Sequence, residues 1–154
     1  MRKFGFFNSN EGDRKYDAQD FGTFLRGLVD WGVFSTVGDQ FTVVEASGMT
    51  VLVNPGKAWL LEHYFITTTS EIVVLDEASV LPRIDTIVIE MDTRIESRSA
   101  ALTCVKGSPA VTPVRPTLIA DDDRRQYPLA DVYVPNGATE IVQNNITNRV
   151  GTAD

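Results

Sequence analysis

The sequence predicts a mainly β protein, an antiparallel β-sandwich preceded by one N-terminal α-helix, and three observations carry that expectation. Apolar residues between positions 16 and 32 repeat at helical spacing. After Gly32 the hydrophobic period falls to two and stays there. Turn-forming residues then punctuate the β-prone segments at short, regular intervals. The alternating βα pattern of a nucleotide-binding fold is absent. A length of 154 residues suits one domain, organised as an N-terminal segment with the helix at 1–35 packed onto a sandwich at 36–154.

The helix is read from Phe21, Phe24, Leu25, Leu28 and Val29, which fall on one helical face. Asp17 is placed to cap it, with Asp20 in the first turn where negative charge suits the helix dipole, and Gly32 to end it. Gly22 and Gly27 lie inside, each costing about 1 kcal/mol relative to alanine, which points to another backbone packed closely there. Strands follow at 41–45, 49–53 and 57–61. Between the last two, Asn54-Pro55-Gly56 has the residues of a type II turn and predicts a hairpin. Segments 71–75 and 84–91 are strongly β-prone, and 100–105 is placed to pair back across the turn-like stretch 92–99. Prolines at 109, 113 and 116 make 107–116 a loop or edge segment. Residues 121–125 read as an exposed charged loop, 128–134 as a strand, Asn136-Gly137 as a turn, and 141–150 as either a strand or a short helix.

Composition narrows the function. Fourteen Lys and Arg against 21 Asp and Glu give a net charge of −7, which would bring a negative surface up to phosphates and so disfavours nucleic-acid binding. No apolar run approaches the roughly 20 residues of a spanning helix, so no membrane insertion is expected. Residues 1–7 lack a signal peptide's long apolar region, which points to synthesis in a cytoplasm. Cys104 is the only cysteine and His63 the only histidine, so neither an intramolecular disulfide nor a zinc site is expected.

Chemistry is sparse. The nucleophile elbow and the glycine-rich phosphate loops have no counterpart here, and no cofactor is expected. Asp121-Asp122-Asp123 lacks the alternating ligands and glycine of a calcium loop and reads as solvated. Asp85 shares a strand face with Ile87, Ile89 and Met91, so it must be paired if buried; Arg83 is its partner by parity, as a structural ion pair that fixes register. Arg94 and Arg98 are later candidates. Cys104 reads as a small buried hydrophobe. Trp31, Trp59 and Tyr64 are candidates for an aromatic platform under a sugar, although core packing is the commoner use of the two tryptophans. The N-terminal aromatics Phe4, Phe6 and Phe7 are too apolar for a free tail and should pack on the domain or on a neighbouring subunit.

The order of segments resembles a known group. Phe6-Phe7-Asn8-Ser9, then Gly12-Asp13-Arg14-Lys15-Tyr16-Asp17-Ala18-Gln19-Asp20-Phe21, then Gly32-Val33-Phe34 is similar to the opening of baseplate and tail proteins from phages and prophages of Gram-positive bacteria. Gly48-Met49-Thr50-Val51 with Val53-Asn54-Pro55-Gly56-Lys57-Ala58-Trp59 resembles a recurring hairpin of that group, and Arg83-Ile84-Asp85-Thr86-Ile87-Val88-Ile89 a recurring strand. Leu129-Ala130-Asp131-Val132-Tyr133-Val134, followed by Ile141, Ile146 and Arg149, resembles its closing segment, with Asn148 standing where an acidic residue is expected.

The resemblance implies the N-terminal domain of a baseplate upper protein or receptor-binding protein. Such a domain is a non-enzymatic component of the virion, made in the host bacterial cytoplasm, that anchors a distal host-recognising part, commonly in threefold assemblies. Its partners are other tail and baseplate proteins and, as a homotrimer, its own copies. Family chains often continue into a receptor-binding head, whereas this sequence stops five residues after Arg149, so attachment or scaffolding is expected rather than direct host recognition. The expected interface comprises Phe4, Phe6, Phe7, Phe21, Phe24 and Leu28. The alternative is a carbohydrate-binding sandwich module contacting host-surface glycan through Trp59 and Tyr64. A third reading is a hydrolase using His63 with a nearby carboxylate.

Overall fold

The computed structural model describes residues 5–8, 10–13 and 15–150; Phe4 lies outside them. Among the described residues the protein is mainly β, with one α-helix, α1 (Ala18–Leu25), ahead of the strands. In chain order these are β1 (Gly32–Gly38), β2 (Val43–Glu45), β3 (Thr50–Val53), β4 (Gly56–Leu60), β5 (His63–Thr67), β6 (Glu71–Val74), β7 (Arg83–Asp92), β8 (Ser99–Val105), β9 (Arg124–Val134) and β10 (Ile146–Asn148). They form three antiparallel sheets, β1-β4-β5, β2-β3-β6 and β10-β9-β7-β8. Because β1 runs through residue 35, the expected boundary between N-terminal segment and sandwich falls inside a strand.

The core follows from strand alternation. Ile87, Ile89 and Met91 on one face of β7 share one buried cluster with Val132 and Val134 of β9, Val51 and Val53 of β3, and Ala58 and Leu60 of β4. Val88 and Thr86 point the other way and are buried as well, and β7, paired with β8 on one edge and β9 on the other, is one of the two inner strands of its sheet. Pro128 lies inside β9, where the register shifts by one residue opposite Ile87 and Val88. A proline has no N–H for the ladder, and a bulge is where a sheet tolerates that loss.

Several expectations need correction. The helix ends at Leu25 rather than near Gly32, and Leu28 and Val29 close a turn on the Leu25 carbonyl. Gly27 follows the last turn with open space around it, and Leu28 is exposed, so nothing rewards further helix. The segments around Asn54-Pro55-Gly56 do not form a hairpin, because β3 and β4 belong to different sheets and Pro55 carries the chain from one to the other. Gly56 is needed for proximity and not for a left-handed turn: an added Cβ would lie 2.7 Å from both the backbone nitrogen and the ring of Phe41.

The strands β1 and β5 lie outside the segments read as strands from sequence. His63, placed at a strand end, opens β5 after a two-residue hairpin in which Leu61 and Glu62 have φ of 48° and 61°. That turn usually recruits Asn-Gly, so Leu-Glu leaves no signal. Arg124 and Arg125, read as loop, begin β9 and pair with Asp92 and Met91. The ambiguous closing stretch is both things in turn, a 3-10 helix at Gln143–Asn145 and then β10.

Candidate functional site

Helix α1 begins with a reciprocal cap. The Asp17 carboxylate accepts from the Asp20 amide at 3.0 Å, and the Asp20 carboxylate accepts from the Asp17 amide at 3.2 Å. The helix is seated at Gly22, where an added Cβ would fall 2.6 Å from Cβ of Glu62 in the β4–β5 turn. Glu62 then fastens it: Oε1 accepts from Nε of Arg26 at 2.7 Å and from Nε1 of Trp31 at 3.3 Å. The Arg26 hydrogen bond, aided by its charge, holds the Glu62 carboxyl below the ordinary carboxylate range. Arg125 completes the corner, its guanidinium 4.9 Å from the centre of the Trp31 ring.

Fastening the helix at one side leaves an apolar stripe of α1 and the turn after it outward. Phe21 is 53% exposed, Phe24 51% and Leu28 68%. Phe6 packs edge-on against Phe24 at 5.1 Å and stacks on Tyr16 at 5.4 Å, so the N-terminal segment lies along the helix. The Tyr16 hydroxyl receives the Phe7 amide at 2.9 Å. Phe6 and Phe7 nevertheless stay half exposed. Phe21 and Leu25 also border a groove of about 420 Å³ whose floor is Phe34, Trp59, Tyr64 and Ile66 from the outer face of β1-β4-β5. Solvated faces of antiparallel sheets are ordinarily polar; this one is mostly apolar, with Lys57 as its charged member, Nζ lying 5.4 Å from the centre of the Phe34 ring.

The remaining candidates are placed as follows. Trp59 is only 7% exposed and its Nε1 is buried without a hydrogen-bond partner, whereas Tyr64, its cross-strand neighbour, is 69% exposed. The two rings therefore do not make an exposed row for a sugar. His63 is exposed, with Nδ1 against the Leu61 carbonyl of its own turn, and no hydrogen bond joins it to a hydroxyl or carboxylate. Cys104, expected inside, is only partly buried, packed against the core opposite Ile87 across β7–β8, and that burial pushes its thiol up to about 12. Asp121, Asp122 and Asp123 are exposed.

Arg83 and Asp85 are fully buried and paired, Nε lying 2.9 and 3.0 Å from the two carboxylate oxygens. The pair is also a loop anchor. Arg83 donates to the carbonyls of Glu77 (2.8 Å) and Asp76 (2.7 Å), and Asp85 accepts the Gly107 amide at 2.8 Å. Arg94, one of the two later candidates, pairs instead with Asp92, whose carboxyl it holds well below the usual range. Three features escaped the sequence reading. Glu62 fastens the helix; Asp131 gathers Thr86, Arg115 and Arg149; and Asn148 both donates to and accepts from the backbone of Val43. Only Gly22 hinted at the first.

Among the described residues, no three His, Cys, Asp or Glu side chains gather to hold a metal ion, and no helix is long and apolar enough to cross a membrane. Comparison with protein-family models, curated proteins and solved structures finds no match to this chain.

Proposed function

We propose that this chain is a structural component of a phage tail, baseplate or tail-derived particle, an attachment domain that anchors a host-recognising part through protein–protein contacts. One observation supports it most: an outward apolar stripe of Phe21, Phe24 and Leu28, extended by Phe6 and Phe7 and continuous with the groove over β1-β4-β5. Apolar surface of that extent on a chain with net charge −7 is costly in water and is relieved by burial against another subunit. The order of sequence segments, similar to that of Gram-positive phage baseplate proteins, supplies the biological setting. In this reading the domain forms a homotrimer through the helix face, is made in the host cytoplasm, and resides in the virion beside other tail proteins.

The test is a triple substitution, Phe21→Ser, Phe24→Ser and Leu28→Ser, followed by sedimentation velocity. All three side chains are exposed, so the sandwich should stay folded by circular dichroism while the assembly falls to monomer. A variant that assembles like the parent chain overturns the reading.

A further inference from the structure

We propose that the hollow between the start of β5 and the β7–β8 turn binds a sugar carrying an anionic group, with Arg98 as its charge partner and Tyr64 as the platform under its ring. This goes beyond the tail-component reading and does not rest on it: Phe21, Phe24 and Leu28 take no part, and of the residues named for the hollow only Tyr64 also floors the groove beside α1. The first argument is one of pairing. Among the described arginines, Arg26, Arg83, Arg94, Arg115, Arg124 and Arg149 each meet a carboxylate. Arg125 lies over Trp31. Arg98 alone has neither kind of partner, although acidic residues outnumber basic ones by 21 to 14. The carboxylate bordering the same hollow, Asp92, is already committed: Arg94 reaches it through Nε at 2.9 Å, through Nη2, and through its backbone amide at 3.1 Å.

The second argument concerns position. Arg98 has φ of 42° and its amide donates to the Arg94 carbonyl at 2.9 Å, so the turn holds it in a left-handed conformation that glycine or asparagine would occupy more cheaply. The turn thereby sets where the side chain leaves the backbone beside the hollow, and the planar guanidinium matches a carboxylate or phosphate in a way an ammonium does not. The third argument is the company it keeps. His63, Tyr64, Thr93 and Ser99 border the same hollow of about 350 Å³, the size of a small-ligand pocket. With Nδ1 of His63 directed at the Leu61 carbonyl, Nε2 is left for a ligand. Tyr64, two-thirds exposed and fixed by its register with Trp59, offers an aromatic face. One exposed arginine holds a bare anion weakly because water and salt screen it; a ring stacked on Tyr64 supplies the additional contact.

The test is a titration of the full chain, followed by amide NMR, with glucose 6-phosphate, glucuronate, glucose and inorganic phosphate. Saturable shifts are expected at 63–64, 93 and 98–100 with glucose 6-phosphate, with glucuronate, or with both, and which of them binds names the anion. Arg98→Gln and Tyr64→Ala should each weaken binding about tenfold or more, with Arg98→Lys between. Both side chains are exposed, and unchanged spectra elsewhere establish that the variants fold. The triple substitution at Phe21, Phe24 and Leu28, none of which borders the hollow, should leave binding intact. The proposal is overturned if no probe gives saturable shifts at these positions, or if Arg98→Gln binds like the parent chain. Inorganic phosphate binding as well as the sugar phosphate, or glucose as well as either, overturns it too.

Discussion

Replacing Asp85 with alanine should be among the most damaging single changes in this protein, and its cost follows from the partners it would abandon. The carboxylate is fully buried and satisfies two donors, the Nε–H of Arg83, shared between its oxygens at 2.9 and 3.0 Å, and the Gly107 amide at 2.8 Å. Without it, the Arg83 guanidinium keeps the Asp76 and Glu77 carbonyls but loses its counter-charge inside the core. Breaking a buried pair by removing one partner costs about 3–5 kcal/mol, and an orphaned amide adds about 1–3 kcal/mol. The sum is a large share of the roughly 5–15 kcal/mol that holds a domain folded. Relief by local movement is limited, since Gly107 approaches so closely that an added Cβ would lie 2.0 Å from the Ile84 carbonyl oxygen. Urea unfolding of Asp85→Ala against the parent chain, with equal m-values, measures the loss directly. A loss below about 0.5 kcal/mol, the size of an ordinary surface substitution, would refute the argument that this pair is a buried anchor.

Four further outcomes are expected. Gly22→Ala should lower the melting temperature although alanine favours helix by about 1 kcal/mol, because its Cβ would meet Glu62 at 2.6 Å and lift α1 from its seat; a rise in melting temperature contradicts this. Asn148→Asp should cost about 1–3 kcal/mol at neutral pH, since a carboxylate can still accept the Val43 amide but faces the Val43 carbonyl without a proton to donate; equal unfolding midpoints contradict it. Cys104 should react with a thiol reagent at mildly alkaline pH far more slowly in the folded chain than in urea, because burial holds its pKa near 12; equal rates would place the thiol at the surface. The folded-state carboxyls of Glu62 and Asp92 titrate below their ordinary values, so the stability they contribute is present above the ordinary carboxylate range. It is lost as pH falls through the lowered folded values, and Glu62→Gln should flatten part of that acid limb. An unchanged limb would remove Glu62 from the account.

What could be read from sequence depended on how local its cause was. The helix cap at Asp17 involves residues three apart, and the β7–β8 hairpin follows from two alternating runs joined by a turn-like stretch. The placement of Asp85 inside with Arg83 is parity within one strand. The Pro55-Gly56 corner misled because the same dipeptide serves a tight turn or a close approach, and only the position of Phe41 separates them. Turn Leu61-Glu62 is hidden because its left-handed pair lacks the usual residues, and with it went β5. Glu62 as a fastener depends on Arg26 and Trp31, 36 and 31 residues away. The solitary state of Arg98 is a property of the folded surface as a whole, visible only once the other arginines have found their acids.

The central claim is that the outward stripe of α1 and the turn after it is a subunit interface, and the solution mass of the unmodified chain tests it most directly. Light scattering across a concentration series should give three times the 17.0 kDa of one chain. A mass that stays at one chain throughout would contradict the account, leaving Phe21, Phe24 and Leu28 exposed with no copy of the protein to cover them.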